Sequence, residues 1–423
     1  MDVVIGGGVA GLMRAWALAS MGRDVTLFEA SGRVGGVVRT RRIEGALVEL
    51  GPQSLRVTPA LWRLIERLGL TSAVVPAAAA SNGRFLWDGV ALQRLPDGPI
   101  GVGLAPWGGW RRVASLWAET RRPPSRGPQT ASLGAWVRHR FGPGWEDLLA
   151  AGIGGVFAGD PEALDAALAA PGPVAWERAW GSVLRGASKT ASARAVPRAP
   201  ASMVTFRDGM QVLPDTLGAA LGRVVRLGVT VERVTRRGRG WRIETSRGGL
   251  DARALHVAVL PDVASAWFPD LPVAPCAPVA AVHLGWPREA GDRRGFGWLA
   301  PPSCSPEVLG ALWVSSTFPG HAPGQAMVRV LLGGTRAPGL VEASDDALVT
   351  AARAAVAKVE GRDARPAWVH VARHRGGIPQ PPPGHAERLW AWESANPGVA
   401  MLGWGWRGPG LSTLADEALS VLG

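Results

Sequence analysis

The glycines near the N-terminus have the types and spacing needed to bind a pyrophosphate. Gly6, Gly8 and Gly11 form a G-x-G-x-x-G pattern between a short apolar run and a helical stretch. In this pattern the first glycine makes a tight turn, the second lets the backbone approach the phosphates, and the third allows close packing of helix on strand. The helix N-terminus adds free N–H groups and the positive end of its dipole. The sequence predicts a dinucleotide-binding turn with contacts from Gly6, Gly7, Gly8, Val9, Ala10 and Gly11.

A carboxylate follows at the spacing expected for a ribose contact. Glu29 closes the second apolar run about twenty residues after the glycines, where its oxygens can accept hydrogen bonds from ribose hydroxyls. The strand, the helix and this carboxylate together predict a dinucleotide-binding unit, with further contacts from Glu29 and Ala30.

An arginine–glycine extension distinguishes between NAD and FAD. Residues 32–40 (G-R-V-G-G-V-V-R-T) follow at once, and plain NAD-binding units lack such an extension. Gly36 permits close backbone contact, while Arg33 and Arg39 can hold phosphate or carboxylate oxygens. Residues 49–52 (E-L-G-P) then make a turn of the kind that approaches an isoalloxazine ring. FAD is therefore the predicted cofactor.

The hydrophobic pattern predicts the elements that hold these residues. Residues 2–6 and 24–28 are expected to form buried parallel strands, joined by a helix over 11–21. The middle of the chain, 105–190, is mostly helical in pattern. Residues 187–202 are rich in Ala, Ser, Pro and Arg and predict an exposed loop. Strand patterns recur at 279–285, 296–300, 311–317 and 326–332, before a helix over 345–359.

Composition limits the function classes. The 423 residues allow roughly two or three domains, with 47% hydrophobic and 19% charged residues as in soluble globular proteins. Neither a secretion signal nor an apolar run of about 18 residues is found, so we expect a cytoplasmic protein. Two cysteines exclude a disulfide framework and a thiolate metal site.

The net charge of +12 raises the question of anionic partners. Only two of the 46 basic residues are lysines, and the arginines are scattered instead of forming one block. This pattern favours an arginine-rich proteome over nucleic-acid binding. A surface suited to anionic lipid or to an anionic substrate is the alternative.

Further motifs resemble the flavin amine oxidase superfamily, and within it the protoporphyrinogen oxidase family, over nearly the whole length. The matching segments are 84–87 (R-F-L-W) with 95–96, 156–161 (V-F-A-G-D-P), 181–186, 206–213 (F-R-D-G-M-Q-V-L), 378–380 (I-P-Q) and 384–385. The resemblance implies an α/β fold with an FAD-binding Rossmann-like domain assembled from separated segments, a mixed-sheet substrate domain and a helical membrane-associated domain. The implied bounds are 1–80, 196–270 and 376–423 for the FAD domain, 81–104 and 271–375 for the substrate domain, and 105–195 for the helical domain.

The resemblance also implies the reaction and the site. FAD would dehydrogenate protoporphyrinogen IX to protoporphyrin IX in heme biosynthesis, with dioxygen as electron acceptor and without a catalytic side chain or a metal. Further cofactor contacts would be Val37, Gly51, Pro52, Gln53, Ser54, Val234, Trp404, Pro409, Gly410 and Leu411. Arg84 would face a propionate, Leu299, Leu312 and Leu331 would contact the macrocycle, and Gly155, Phe157 and Gly159 would line the other side. Asp160 we expect to cap a following helix instead of taking part in the chemistry.

Departures from the motifs keep other functions open. The C-terminal block 403–411 lacks the family's asparagines and aspartate, and Pro381 interrupts the pattern after Gln380. A coproporphyrinogen III oxidase, another flavin oxidoreductase and a non-enzymatic relative are the alternatives. An amine oxidase is disfavoured, because Lys189 and Lys358 lie in polar surroundings and neither suits the lysine that such enzymes keep beside the flavin.

Membrane contact and self-association are further open questions. Trp110, Val113 and Trp117, with Arg111, Arg112, Arg121 and Arg122, suit either a membrane interface or packing within a helical domain. A homodimer is also among the states of assembly that we expect.

Overall fold

The computed structural model describes residues 1–95, 109–125, 127, 131–190, 199, 201–408 and 410–422. Strands are numbered in chain order: β1 (Asp2–Ile5), β2 (Val25–Glu29), β3 (Thr40–Ile43), β4 (Ala46–Glu49), β5 (Leu55–Arg56), β6 (Val74–Pro76), β7 (Arg84–Trp87), β8 (Leu92–Leu95), β9 (Met203–Phe206), β10 (Val225–Leu227), β11 (Val231–Arg237), β12 (Gly240–Thr245), β13 (Gly248–Ala252), β14 (Ala254–Val257), β15 (Cys276–Pro287), β16 (Gly297–Leu299), β17 (Val308–Trp313), β18 (Gln325–Gly333), β19 (Trp368–Pro379) and β20 (Val399–Met401).

Helices occur between these strands and form most of the segment between β8 and β9. They are α1 (Val9–Ser20), α2 (Pro59–Arg67), α3 (Gly109–Glu119), α4 (Leu133–Phe141), α5 (Glu146–Phe157), α6 (Ala166–Ala169), α7 (Pro171–Trp180), α8 (Val183–Thr190), α9 (Val212–Leu221), α10 (Pro261–Ser265), α11 (Val314–Thr317), α12 (Asp345–Glu360), α13 (His385–Ala395), α14 (Trp404–Arg407) and α15 (Leu411–Leu419).

A five-stranded parallel sheet carries the N-terminal glycines. Its strand order is β10-β2-β1-β14-β20, which places β1 in the centre. The five strands of this sheet come from widely separated parts of the chain. Val4 and Leu27 face a core shared with α1, α9 and α15. Ile5 and Phe28 face the opposite side, where the antiparallel β11–β13 sheet packs. Burial on both faces explains why these strands are continuous apolar runs.

A seven-stranded mixed sheet forms the second layer. Its order is β19-β15-β18-β17-β16-β7-β8, and the described neighbours are antiparallel except for the parallel pair β16 and β7. Side chains alternate between the faces of a strand. Val328, Val330 and Leu332 of β18 therefore pack against α12 on one face. Met327 and Leu331 face the other way, towards the β3–β4 hairpin and the end of α5.

Two local expectations from the sequence are wrong. The strand expected over 311–317 ends at Trp313, because the Thr317 hydroxyl donates to the Trp313 carbonyl (3.0 Å) and closes the helical turn α11. Residues 187–190, at the start of the expected loop, are helical because α8 continues to Thr190, and residues 191–198 and 200 lie outside the described part of the chain. There the Thr190 hydroxyl donates to the Gly186 carbonyl (2.8 Å).

No helix within the described residues combines the length and the apolar character needed to cross a membrane.

Candidate functional site

The N-terminal glycines form a tight turn with an open side. Gly6 has φ +106°, and a Cβ on Gly11 would lie 2.0 Å from the Gly6 carbonyl oxygen, so both positions require glycine. A Cβ on Gly8 would meet no protein atom within 4 Å. No side chain caps the N-terminus of α1. The turn therefore presents helix N–H groups to an open space, as binding of a pyrophosphate requires.

Glu29 lies directly beside this turn. Its Oε2 accepts a hydrogen bond from the Gly7 N–H (2.6 Å), and its Oε1 accepts one from the Ser31 N–H (2.8 Å). Ala30, which follows Glu29 in the chain, is exposed. The carboxylate is thus held at the end of β2, directly beside the glycine turn.

The arginine–glycine segment and residues 49–52, the flavin turn, meet the glycine turn. The Gly35 N–H donates to the Gly7 carbonyl (2.8 Å), and a Cβ on Gly36 would lie 3.2 Å from the Gly8 Cα. A Cβ on Gly51 would lie 2.1 Å from the carbonyl oxygen of Val37, whose side chain is 36% exposed. The three segments that the sequence assigns to FAD therefore converge.

Both arginines of this segment, Arg33 and Arg39, are half-buried. Arg33 donates to the carbonyls of Val34 (3.1 Å) and Gly36 (2.6 Å), so its guanidinium shapes its own loop. Burial, and after it the charge of Arg39, lower the pKa of Arg33. Two guanidinium groups that repel each other in this way favour a nearby anion.

The remaining predicted cofactor contacts lie in several environments. Gln53 is buried, and neither atom of its side-chain amide has a hydrogen-bond partner among the described residues. Trp404 is half-buried against the core around α1, and Leu411 begins α15 in the same core. Val234 packs with Ile5 and Phe28. Pro52 and Ser54 are half-buried, Gly410 is exposed, and Pro409 lies outside the described residues.

The predicted macrocycle contacts share one face of the seven-stranded sheet. Leu299 lies opposite Gly310, Leu312 opposite Gly297, and Leu331 opposite Gly310 in the registers of β16, β17 and β18. All three leucines are half-buried. We call this face, away from α12, the site face.

Residues 155–159, which the sequence predicts to line the other side of the macrocycle, contact the site face. A Cβ on Gly155 would lie 2.4 Å from a Leu299 methyl group, so α5 packs directly on β16. The Phe157 carbonyl accepts a hydrogen bond from the Gln380 Nε2 (2.7 Å), and a Cβ on Gly159 would lie 2.0 Å from the Gln380 Oε1. Gln380 therefore fixes the end of α5, and no gap separates α5 from Leu299.

Two other predicted residues are placed as follows. Arg84 is exposed on β7, opposite Gly297, with its guanidinium carbon 5.5 Å from the centre of the Phe296 ring. Asp160 accepts the Glu162 N–H (2.9 Å) in a turn, and the capping role expected of it belongs to Asp165 at the start of α6. The expectation for Asp160 is wrong because the chain forms a turn, not a helix, after Pro161.

Sequence reasoning missed a buried polar cluster beneath the flavin turn. Glu49 accepts hydrogen bonds from the Met210 N–H (2.8 Å) and the Thr40 hydroxyl (2.9 Å). Arg329 on β18 donates to the Gly51 carbonyl (2.7 Å), and the Nε2 of His374 on β19 lies 2.7 Å from the Leu50 carbonyl oxygen. The available signal was a charge inside an apolar strand pattern, because arginine is seldom buried without a partner.

The pKa of Glu49 makes stability depend on pH. Burial raises this pKa from 4.5 to about 7, against the hydrogen bonds from Met210 and Thr40. Between pH 4.5 and 7, Glu49 therefore keeps a proton in the folded protein that it releases in the unfolded chain. Its contribution to the free energy of unfolding is complete below pH 4.5 and is lost as the pH rises to 7. The loss is about 3 kcal/mol. We expect Glu49→Gln to remove this slope, as measured by denaturant unfolding of FAD-saturated protein from pH 4.5 to 8.

The exposed Glu232 on β11 provides the matched control. Glu232→Gln should leave the pH slope unchanged. Parallel stability curves for wild type and Glu49→Gln would contradict the assignment of the slope to Glu49.

Comparison with known proteins identifies the family. A model of the family described as flavin containing amine oxidoreductase matches residues 9–411. The chain belongs to this family. As a member it is an FAD-dependent oxidoreductase, and the α/β class predicted from the sequence is confirmed.

Relatives within the family carry porphyrinogen oxidase names. The chloroplastic protoporphyrinogen oxidase of Oryza sativa is 30% identical, over 93% of this chain and 81% of its own length. The protoporphyrinogen oxidase of Homo sapiens is 31% identical, over 92% and 89%. The coproporphyrinogen III oxidase of Bacillus subtilis is 26% identical, over 99% and 96%.

Solved structures share the fold. An Exiguobacterium protein with the provisional name protoporphyrinogen oxidase aligns with a TM-score of 0.83 at 22% identity, covering 100% of this chain and 97% of that one. A putrescine oxidase mutant aligns with a TM-score of 0.73 at 17% identity, covering 100% and 98%. The family fold therefore extends over the whole chain.

Proposed function

We propose that this family member oxidises protoporphyrinogen IX to protoporphyrin IX in heme biosynthesis. The observation that carries the proposal is the meeting of the glycine turn, the arginine–glycine segment and the flavin turn beside an apolar sheet face. The open space at Gly8 would take the FAD pyrophosphate, Glu29 a ribose, and the flavin turn the isoalloxazine ring. The names of relatives at about 30% identity support the substrate class.

The proposed reaction needs no side chain as an acid, a base or a nucleophile. A C–H bond of a methylene bridge breaks and its hydrogen leaves as hydride, while the neighbouring pyrroles stabilise the carbon cation until an N–H proton is lost. Bound FAD supplies the hydride acceptor, and dioxygen takes up the electrons as hydrogen peroxide. Six hydrogens leave the substrate, so three such rounds are needed. The residues of this chain position the bridge carbon and exclude water.

Binding of a flat macrocycle needs room on the site face. Because Gly155 already touches Leu299, the macrocycle would lie over Leu312 and Leu331, or α5 would separate from Leu299 during binding. Exposed Arg84, on the strand beside β16, would pair with a propionate at the rim. An apolar pocket with one charged group at its edge suits such a substrate.

The deciding experiment supplies FAD-loaded protein in air with protoporphyrinogen and follows porphyrin fluorescence against a sample without enzyme. We expect an enzyme-dependent rise, and a KM about tenfold higher for Arg84→Ala, because a charge-assisted contact to the propionate is lost. Arg94→Ala is the control, since Arg94 is exposed on β8 opposite Phe85 and so on the other face. No rise with a normal flavin spectrum would refute the proposal.

Coproporphyrinogen III is the second candidate substrate. The Bacillus subtilis coproporphyrinogen III oxidase, although only 26% identical, aligns over nearly the full length of both chains. A parallel sample with coproporphyrinogen III decides between the two, because the faster substrate is the one the site prefers.

The proposal includes peripheral membrane contact of a cytoplasmic protein and assembly as a homodimer. Trp117 on α3 is 68% exposed, and the Arg121 guanidinium lies 3.6 Å from its ring centre, which suits a membrane interface. Arg122 of the predicted surface instead donates to the His139 carbonyl (2.8 Å), Arg111 is exposed, and the side chain of Trp110 lies outside the described part of the structure. Co-sedimentation with anionic vesicles and the mass in solution test these two points.

A further inference from the structure

Arg329 is a charged residue on the site face, between apolar residues of its own strand and beside a histidine of the next strand. It lies on β18 between Met327 and Leu331, which point to the same face, and it pairs across the sheet with His283 and Leu312. Met327 packs with the β3–β4 hairpin, and Leu331 packs with the end of α5. The side chain therefore lies where the flavin turn, the sheet and the proposed macrocycle wall meet.

Two side chains of the sheet hold consecutive carbonyls of the flavin turn. The Arg329 Nη1 donates to Gly51 (2.7 Å), and the His374 Nε2 lies 2.7 Å from the Leu50 carbonyl oxygen. The Arg329 Nε is buried and has no hydrogen-bond partner among the described residues. This guanidinium thus keeps unused donor capacity next to the flavin turn that its Nη1 already contacts.

The charge of Arg329 persists in these surroundings. Burial lowers its pKa to about 10, with Glu49 acting in the opposite direction, so the group remains protonated near pH 7. Burial raises the pKa of Glu49 to about 7, so its countercharge is incomplete there. Burial, and after it the charge of Arg329, lower the pKa of both His283 and His374, which are therefore neutral. An incompletely compensated positive charge results.

We propose that Arg329 raises the electron affinity of the flavin. The inference rests on the proposed placement of the isoalloxazine ring at the flavin turn. Hydride transfer brings one negative charge to the acceptor, and a fixed cation in a water-poor site stabilises that charge more than it would in water. Arg329 is in this sense a positioning and charge-supplying residue for the oxidation.

The test compares the reduction potential of bound FAD in wild type, Arg329→Met and Arg329→Lys. Potentials are measured anaerobically by equilibration with a reference dye, without porphyrinogen. We expect Arg329→Met to lower the equilibrium constant for two-electron reduction about tenfold, equivalent to about 30 mV. The lysine variant keeps the charge and should stay much closer to wild type.

Arg336→Met is the matched control for the loss of an arginine from the same sheet region. Arg336 is half-buried and donates to the carbonyls of Ala300 and Ala150 (2.8 Å each), on the α5 side and not at the flavin turn. Its removal should leave the potential unchanged.

Two results would overturn the inference. One is an unchanged potential in Arg329→Met, and the other is an equal fall in the lysine and methionine variants, which would assign the effect to the shape of the turn. If Arg329→Met does not retain FAD, Arg329→Gln replaces it in the comparison. Since no porphyrinogen is present, failure of the proposed substrate would appear only in the fluorescence assay and leave this test intact.

Discussion

Gly8→Ala will leave the fold intact and weaken FAD binding about 10- to 100-fold, as expected for steric overlap costing 1–3 kcal/mol. Gly8 has φ −67° and ψ 172°, a conformation open to alanine, and the added methyl meets no protein atom within 4 Å. The same methyl occupies the space proposed for the pyrophosphate. Titration of FAD into apoprotein, followed by flavin fluorescence, measures the affinity, and thermal unfolding of the apoprotein measures the fold.

Two other glycines separate loss of ligand from loss of fold. Gly320→Ala is the control, because Gly320 is exposed and also has no atom within 4 Å of an added Cβ. Gly11→Ala should instead destabilise the apoprotein, since its methyl would lie 2.0 Å from the Gly6 carbonyl oxygen. Unchanged FAD affinity in Gly8→Ala would mean that the pyrophosphate does not bind at this turn.

The cofactor half of the molecule was predictable because its signals are local. The expected strands at 2–6 and 24–28 and the helix between them agree with β1, β2 and α1 to within about two residues. Here one short segment holds both the apolar pattern and the glycines that the turn requires. The FAD contacts and the domain bounds stay predictions, although the segments at Gly8, Gly36 and Gly51 do converge.

The polar cluster was not predictable because its partners are distant in sequence. Arg329 and Gly51 are 278 residues apart, and His374 and Leu50 are 324 apart. A sequence pattern marks Arg329 as unusual within an apolar strand, but only the packing of the β3–β4 hairpin on the sheet shows which carbonyl it meets. The direct contact of Gly155 with Leu299 could not be predicted either, because the positions of a helix and a strand in the sequence do not show how closely the two pack.

A second buried charge network holds the helical segment together. Arg140 on α4 is fully buried, and its Nε donates to the Glu119 Oε1 (3.0 Å) at the end of α3. Its Nη1 lies 3.3 Å from Glu177 on α7. Glu119 also accepts the Val183 N–H (2.8 Å) at the start of α8. One guanidinium therefore connects three helices, and through Glu119 it reaches a fourth.

Arg140→Met will destabilise this segment by about 3–5 kcal/mol, because two buried carboxylates lose their countercharge. FAD should remain bound at temperatures where the helices already unfold, since the parallel sheet and its core do not include them. Limited proteolysis between 109 and 190, combined with flavin fluorescence during heating, measures both events. Replacing Glu119 as well, in Arg140→Met with Glu119→Gln, should recover part of the loss.

Arg138 on the same helix provides the control, because its pair with Glu162 is exposed (44% and 51% for the two side chains). Arg138→Met should cost less than about 1 kcal/mol. Equal effects of the two substitutions would mean that the buried network contributes no more than a surface pair. Since α5 belongs to this segment and packs on Leu299, a selective effect of Arg140→Met should also reduce porphyrinogen turnover before FAD is lost, which would connect the helical segment to the substrate side of the site.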